Sequence, residues 1–277
     1  MSKILIFGDI YGKLGRQGLA KVLLLWREQY KPDVVIANVE NLAHGKGVTL
    51  STMAEMSALG IDVFTSGNHV FHSDQAASEC FAKYANFIRP ANYLSLNPSS
   101  DKGRETGAVP GKGYYRFEKN EQWYCVINLN GQVFFEKQFR GEISSPFTAL
   151  DRLLGDVAQK GDIILVDVHA EATSEKVALG WHADGRIAAL VGTHTHVPTA
   201  DLWIMPAGTA FVCDIGMTGP QHSVIGVKVE NVLGRFLDPA GKYPMEPAEE
   251  GPVVVNALFI TTEGTRAKSI ERLQMVM

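Results

Sequence analysis

Short apolar runs alternate along the chain with stretches whose apolar residues fall at helical spacing. Residues 3–7 form an apolar run that stops at Gly8-Asp9; after a loop through Gly15, Leu19, Val22, Leu23 and Trp26 recur every three to four positions. Residues 33–39 repeat the apolar run and end in Glu40-Asn41. Thr49 or Ser51 is placed to cap the next helix, and Gly60 to end it. Residues 61–65 predict a third strand, which runs out into Ser66-Gly67-Asn68-His69. Ser73 or Asp74 caps a helix through Tyr84, and residues 87–89 before Pro90 read as a short strand. Strand, loop and helix repeated in this way read as units of an open α/β sheet.

From 92 to 112 the periodicity is lost among Pro98, Ser99, Ser100, Gly103, Gly107, Pro110 and Gly111, which marks a long loop and a candidate lid. Residues 114–118 and 123–129 alternate as a hairpin does. Residues 132–142 read as loop, with Phe134, Phe135 and Phe139 exposed or half-packed, as cover for the core rather than a base-stacking platform. Pro146 opens an amphipathic helix through Leu150, Leu153, Leu154 and Val157. Residues 163–168 are a very apolar strand ending in His169; residues 174–181 look helical, with His182 at the end. The strand at 187–191 leads into Gly192-Thr-His194-Thr-His196. Beyond Asp201, residues 202–205, 209–213, 253–260 and 269–275 read as strands, 214–219 as a glycine-rich turn, and 238–252 as an exposed loop. No repeat or linker interrupts the chain, so a single domain over 1–277 is expected.

Composition narrows the function classes. The 277 residues are 45% hydrophobic and 20% charged, an ordinary globular balance. A formal charge of −4 leaves no basic footprint for duplex nucleic acid. The N-terminal apolar run is too short for a signal peptide, and no run approaches the roughly 20 apolar residues of a membrane span. The three cysteines, Cys80, Cys125 and Cys213, are far apart and read as reduced thiols of a cytoplasmic protein.

The candidate chemistry lies at the strand ends. Asp9, Glu40 with Asn41, Asn68 with His69, His169, and His194 with His196 follow five separate strands. Ligands of open α/β sheets sit at the carboxyl ends of the strands. Carboxylate, amide and imidazole together suit Mn, Fe, Zn, Ni or Co rather than a thiolate zinc or a calcium site. Such a set exceeds the needs of one ion and suffices for two ions about 3.5–4 Å apart, bridged by a carboxylate. Two ions so placed bind a phosphate, acidify a bridging water and direct the resulting hydroxide at phosphorus, with no protein nucleophile. His44, His72, His182 and His222 read as surface or capping residues, and Glu171 and Glu175 as helix-surface acids or supports for His169. Arg89 and Arg104 are the nearest candidates for holding a dianionic monoester; no arginine cluster is evident, which favours diesters.

In that order Gly8-Asp9, an acid, Gly67-Asn68-His69, an apolar strand ending in His169, and Gly192-Thr-His194-Thr-His196 resemble the calcineurin-like metallophosphoesterases. Two departures from that superfamily stand out: Tyr11 replaces the histidine of Asp-x-His, and Glu40-Asn41 replaces Gly-Asp. With the run from Val168 to Lys176 and the one from Gly192 to Asp201, they are similar to the YmdB-like bacterial subfamily over nearly the whole chain.

The resemblance implies a metallophosphoesterase-type α/β sandwich, two central β-sheets flanked by helices. It implies two transition-metal ions, Fe or Mn favoured and Zn possible. Asp9, Asn41 and His196 would then hold one ion; Asn68, His169 and His194 the other; Glu40 would bridge; and His69 would be the general acid. The implied activity is a phosphodiesterase best suited to 2′,3′-cyclic nucleotides, a small-molecule substrate, in a chain that is often an oligomer. A regulatory metal- or nucleotide-binding protein with little turnover is the competing class; the intact donor set weighs against it. The first turn lacks G-x-G-x-x-G and the chain lacks G-x-S-x-G, which weighs against dinucleotide binding and serine hydrolysis.

Overall fold

The computed structural model describes residues 1–96, 109–135 and 141–277. Strand β1 (Lys3–Asp9) leads into α1 (Gly12–Tyr30), β2 (Val34–Asn38), α2 (Leu50–Ser57), β3 (Val63–Thr65) and α3 (Asp74–Lys83). Then come β4 (Tyr93–Leu96), the hairpin of β5 (Tyr114–Lys119) and β6 (Gln122–Asn130), β7 (Gly141–Ile143) and α4 (Pro146–Asp156). They are followed by β8 (Ile163–His169), α5 (Thr173–Ala183), β9 (Ala189–Thr193), β10 (Trp203–Ile204) and β11 (Ala210–Val212). The chain closes with β12 (Gly219–Pro220), α6 (Val229–Leu237), β13 (Val253–Glu263) and β14 (Arg266–Val276).

Two six-stranded sheets carry the fold: β12-β13-β1-β2-β3 with β14 beside β13, and β10-β11-β9-β8-β6-β5. The pairs β1–β2 and β2–β3 are parallel in the first sheet, as are β6–β8, β8–β9 and β9–β11 in the second. Period-two geometry explains the layering. Ile4, Ile6, Val34 and Ile36 meet Val126, Leu165 and Val191 in a core between the sheets. The alternate residues Leu5, Phe7, Val35 and Ala37 face α1, α2 and α3, while Cys125, Ile127, Leu129 and Val166 face α4 and α5. Both faces of the central strands are buried, so their sequences are continuously apolar rather than alternating. This is the expected sandwich of two sheets flanked by helices.

Several elements differ from expectation. Residues 93–96 and 141–143 lie in stretches that read as loop, yet they pair as β4 and β7. Buried Asn92 supports that pair, donating to the carbonyls of Asn130 and Ser144 and accepting from Asn130 N–H. The pairing is made by distant partners, which local periodicity cannot reveal. The remainder of the candidate lid at 97–108, and Phe139, lie outside the described residues. Residues 87–89 form isolated bridges to Phe64 and Lys112 instead of a strand. Helix α6 and strand β12 arise where no element was expected. Among the described residues no helix is long and apolar enough to cross a membrane.

Candidate metal centre

The ends of the parallel strands of both sheets meet at one edge of the sandwich. There Asn68 Oδ1, Glu40 Oε1 and His194 Nδ1 lie 2.8, 3.1 and 3.1 Å from a single atom, His169 Nε2. Glu40, His169 and His194 each offer a ligand atom, all within 4.8 Å of one another. The other ring nitrogen of His169 is held from behind: its Nδ1 is 2.9 Å from Thr193 Oγ1, and that hydroxyl donates to Asp167 Oδ1 at 2.8 Å. Since Thr193 gives its proton to Asp167, it accepts from Nδ1–H, and Nε2 is the nitrogen turned to the cluster. Asp167 also accepts from Thr65 Oγ1 and Asn38 Nδ2, so it is anchored by both sheets.

Around this group stand Asp9, Asn41, His69 and His196. Asp9 is wholly buried; Oδ2 accepts His194 N–H at 3.1 Å, while Oδ1 has no hydrogen-bond donor. Asn41 donates through Nδ2 to Gly45 O at 2.8 Å, and its buried Oδ1 likewise lacks a donor. Two buried oxygens without donors are costly unless a cation meets them, so the donor set fits metal ions on the structure's own geometry. His196 Nδ1 donates to Ile225 O at 2.7 Å, which leaves Nε2 as the lone-pair nitrogen. His69 donates its backbone N–H to Glu40 Oε2 at 2.9 Å. A cleft of about 360 Å³ opens onto Glu40, Asn41, His69, His194 and His196, with Lys46 at its wall.

Local sequence makes this convergence possible. A Cβ at Gly67 would overlap Glu40 Oε2 and the His169 ring, so only glycine lets β3 deliver Asn68 here. His194 and His196 have φ of 104° and 65°, a region that non-glycine residues rarely adopt. A buried ion pair holds them there. Lys176 Nζ donates to Thr193 O at 2.8 Å and lies 3.1 Å from Asp214 Oδ2, which also accepts Thr195 N–H.

The electrostatics are those of a packed acid–imidazole cluster. Burial raises the pKa of Asp9. Burial alone would lower His169, but Glu40, Asp9 and Asp167 prevail and push it up to about 9. Glu40 is carried below the usual carboxylate range: burial opposes this, and the charges of His169 and His69 with their hydrogen bonds outweigh it. Burial, reinforced by neighbouring His169, drives His194 down to about 2, so it stands as a neutral imidazole. Burial likewise lowers His69.

Other expected roles are revised. Glu171 pairs with His194 Nε2 at 2.9 Å rather than with His169. Glu175 is buried, not on the helix surface, and accepts the backbone N–H groups of Gln132 and Val133. Tyr11 is packed edge-on to His196, between Gly45 and Gly226. As expected of surface or capping residues, His182 bonds Asp151, and His44, His72 and His222 are exposed and are not among the residues that line the cleft. Arg89 is tied to the carbonyls of Pro90 and Pro110, and Arg104 lies outside the described residues. Asp167, Thr193, Lys176 and Asp214 join the site without being expected there, and Phe135, expected exposed or half-packed, is fully buried with its ring 4.6 Å from that of His194. One signal was present: a carboxylate inside the apolar run Val166-Asp167-Val168.

Two stacked sheets thus present carboxylate, amide and imidazole at the ends of parallel strands, a fold shared with calcineurin-like phosphoesterases. A solved calcineurin-like phosphoesterase of Bacillus subtilis, YfkN, superposes with a TM-score of 0.56 at 13% identity, covering 99% of this chain and 90% of that one, a likeness of fold alone. The chain belongs to the YmdB-like protein family, which it matches over residues 5–273. It is 38% identical over 234 residues to the 2′,3′-cyclic-nucleotide 2′-phosphodiesterase of Bacillus subtilis strain 168, covering 84% of this chain and 82% of that enzyme. A solved phosphatase of Mycoplasma pneumoniae superposes with a TM-score of 0.86 at 30% identity, covering 100% of this chain and 95% of that one. This chain is an enzyme of the phosphodiesterase class.

Proposed function

We propose that the cluster holds two transition-metal ions, iron or manganese, and hydrolyses small phosphodiesters, 2′,3′-cyclic nucleotides foremost. The observation that carries this reading is the convergence of Asn68, Glu40 and His194 on His169 Nε2, beside the undonated oxygens of Asp9 and Asn41. Asn68, His169 and His194 would hold one ion and Asp9, Asn41 and His196 the other, with Glu40 as a ligand common to both. Bound ions supply Lewis acidity toward the phosphate and a nucleophile from water at neutral pH. The relative from Bacillus subtilis supports the choice of substrate.

The chain's own groups do the rest. Thr193 and Asp167 fix the His169 ring. Lys46 offers a cation to the entering phosphate. His69, on the cleft wall, donates a proton to the departing ribose oxygen. Burial lowers its pKa, and an anionic phosphate beside it acts in the opposite direction. Self-association belongs to the same reading and is supported by α6, which exposes Val229, Leu233, Phe236 and Leu237 on one side. Three free, buried cysteines agree with a cytoplasmic setting.

The test is metal content together with hydrolysis of 2′,3′-cyclic AMP, bis-p-nitrophenyl phosphate and p-nitrophenyl phosphate on one purified sample. About two metals per chain with diester turnover is expected. A chain that stays inactive after Mn or Fe is added overturns the reading, and two metals without turnover favours a regulatory binding protein. In His69→Ala both metals stay and turnover slows by about 10²-fold or more; loss of metal there makes His69 a ligand instead.

A further inference from the structure

One wall of the cleft takes no part in the chemistry above. Ile225, Val227 and Met245 line it, close to the histidines. Ile225 and Met245 leave 47% and 43% of their surface exposed. Ile225 also sits at φ 49°, a conformation that β-branched residues avoid and that persists only where the surroundings impose it. The surroundings do so from both sides. Val224 and Val227 exchange backbone hydrogen bonds of 2.9 and 3.0 Å across the turn. Ala248 N–H donates to Gly226 O and Lys228 N–H to Glu246 O, so the Ile225 turn and the segment carrying Met245 are one unit. The Ile225 carbonyl accepts from His196 Nδ1 at 2.7 Å, which ties that unit to the metal side.

We propose that Ile225 and Met245 form an apolar shelf for the nucleobase of a nucleotide whose phosphate lies among Glu40, Asn41, His194 and His196. This rests on the phosphodiesterase reading and names the part of the substrate that reading leaves unplaced. A phosphodiester held at the donor cluster must run out along the cleft, past a wall that offers apolar contact. A nucleobase is flat, uncharged and apolar on its faces, and it matches that wall; a second charged group does not. Contact with the face rather than the hydrogen-bonding edge tolerates every base. The shelf therefore discriminates nucleotides from base-free diesters, and purines little from pyrimidines.

The experiment uses the manganese-loaded parent chain, Met245→Ser and Ile225→Asn, the last because asparagine accepts left-handed φ. Steady-state kinetics on 2′,3′-cyclic AMP and base-free methyl p-nitrophenyl phosphate are paired with calorimetric binding of adenosine 3′-monophosphate and of inorganic phosphate. In Met245→Ser the KM for the cyclic nucleotide, relative to that for the base-free diester, rises roughly tenfold, and adenosine 3′-monophosphate weakens alike against phosphate. Ile225→Asn shifts both ratios in the same direction. Unchanged ratios overturn the shelf, and equal losses on both substrates overturn it in favour of a purely structural role. A parent that hydrolyses both diesters with one KM removes the shelf and leaves the phosphodiesterase reading standing. A parent that turns over neither, yet prefers adenosine 3′-monophosphate to phosphate and loses that preference in Met245→Ser, removes that reading and keeps the shelf.

Discussion

The layer between the two sheets is a different material at its middle and at its carboxyl edge, though the same strands build both. In β2 the inward residues run Val34, Ile36, Asn38; in β8, Ile163, Leu165, Asp167, His169; in β9, Ala189, Val191, Thr193. The middle is apolar, close-packed and indifferent to polar partners. The edge is equally buried but consists of carboxylates, amides, hydroxyls and an imidazole, nearly every one with a named partner. Continuing each strand one or two positions past its apolar face thus converts structural burial into a dry, pre-oriented donor cluster. Packing error in the middle costs stability; pairing error at the edge costs chemistry.

Substitutions that separate these costs sharpen the comparison. The largest effect is expected at Glu40, which touches both His169 and His69. Glu40→Gln should fold and lose metal and turnover by more than the 10–100-fold typical of residues that only support a ligand, read by elemental analysis alongside diester hydrolysis. Full activity in that variant would remove Glu40 from the bridging position. In the apolar middle, Ile36→Ala should cost about 2–5 kcal/mol in urea unfolding while metal affinity stays that of the parent. A fall in affinity of matching size would erase the distinction between the two regions.

Thr193→Val tests the edge from behind the ligand. It removes the hydroxyl between His169 and Asp167, so metal affinity in chelator competition should fall about 10–100-fold, and Thr193→Ser should restore it. Unchanged affinity would mean that packing alone orients the His169 ring.

The smallest effect lies away from the cluster, at Asp201. Burial there opposes ionisation, but hydrogen bonds from Cys213 N–H and the Thr199 hydroxyl win and hold the carboxyl below its ordinary range. A lowered native pKa gives stability above the unfolded carboxylate pKa of about 3.9, lost as pH falls through the native value. Asp201→Asn should therefore be less stable than the parent at pH 7, with the difference closing in acid. A gap in urea midpoints that persists at low pH would assign it to shape instead of charge.

The strand–helix order over residues 3–84 and 146–193, the caps at Thr49 and Ser73 and the ligand-type residues at five strand ends were legible, because apolar periodicity and side-chain chemistry are local properties of a sequence. So was the character of the candidate site, since aspartate, glutamate, asparagine and histidine at that spacing have few other uses together. Support for the site was not legible. Lys176 reads as an ordinary helix lysine, and Asp214 as a turn residue, until α5 brings them together beneath Thr193. The pair β4–β7 and the Ile225–Met245 unit depend on partners far away in sequence, so no local pattern announces them.

Asp9 shows the division most clearly. By strict alternation it belongs with Leu5 and Phe7, facing the helices. A register slip between Phe7 and Asp9 pairs it with Asn38, on the inward face, and turns its carboxylate toward His169 at 3.7 Å. Sequence alone determined that a carboxylate would stand at the end of β1. Only the register of β1 against β2 decided which way it points, because a bulge changes the side-chain face without changing the local composition.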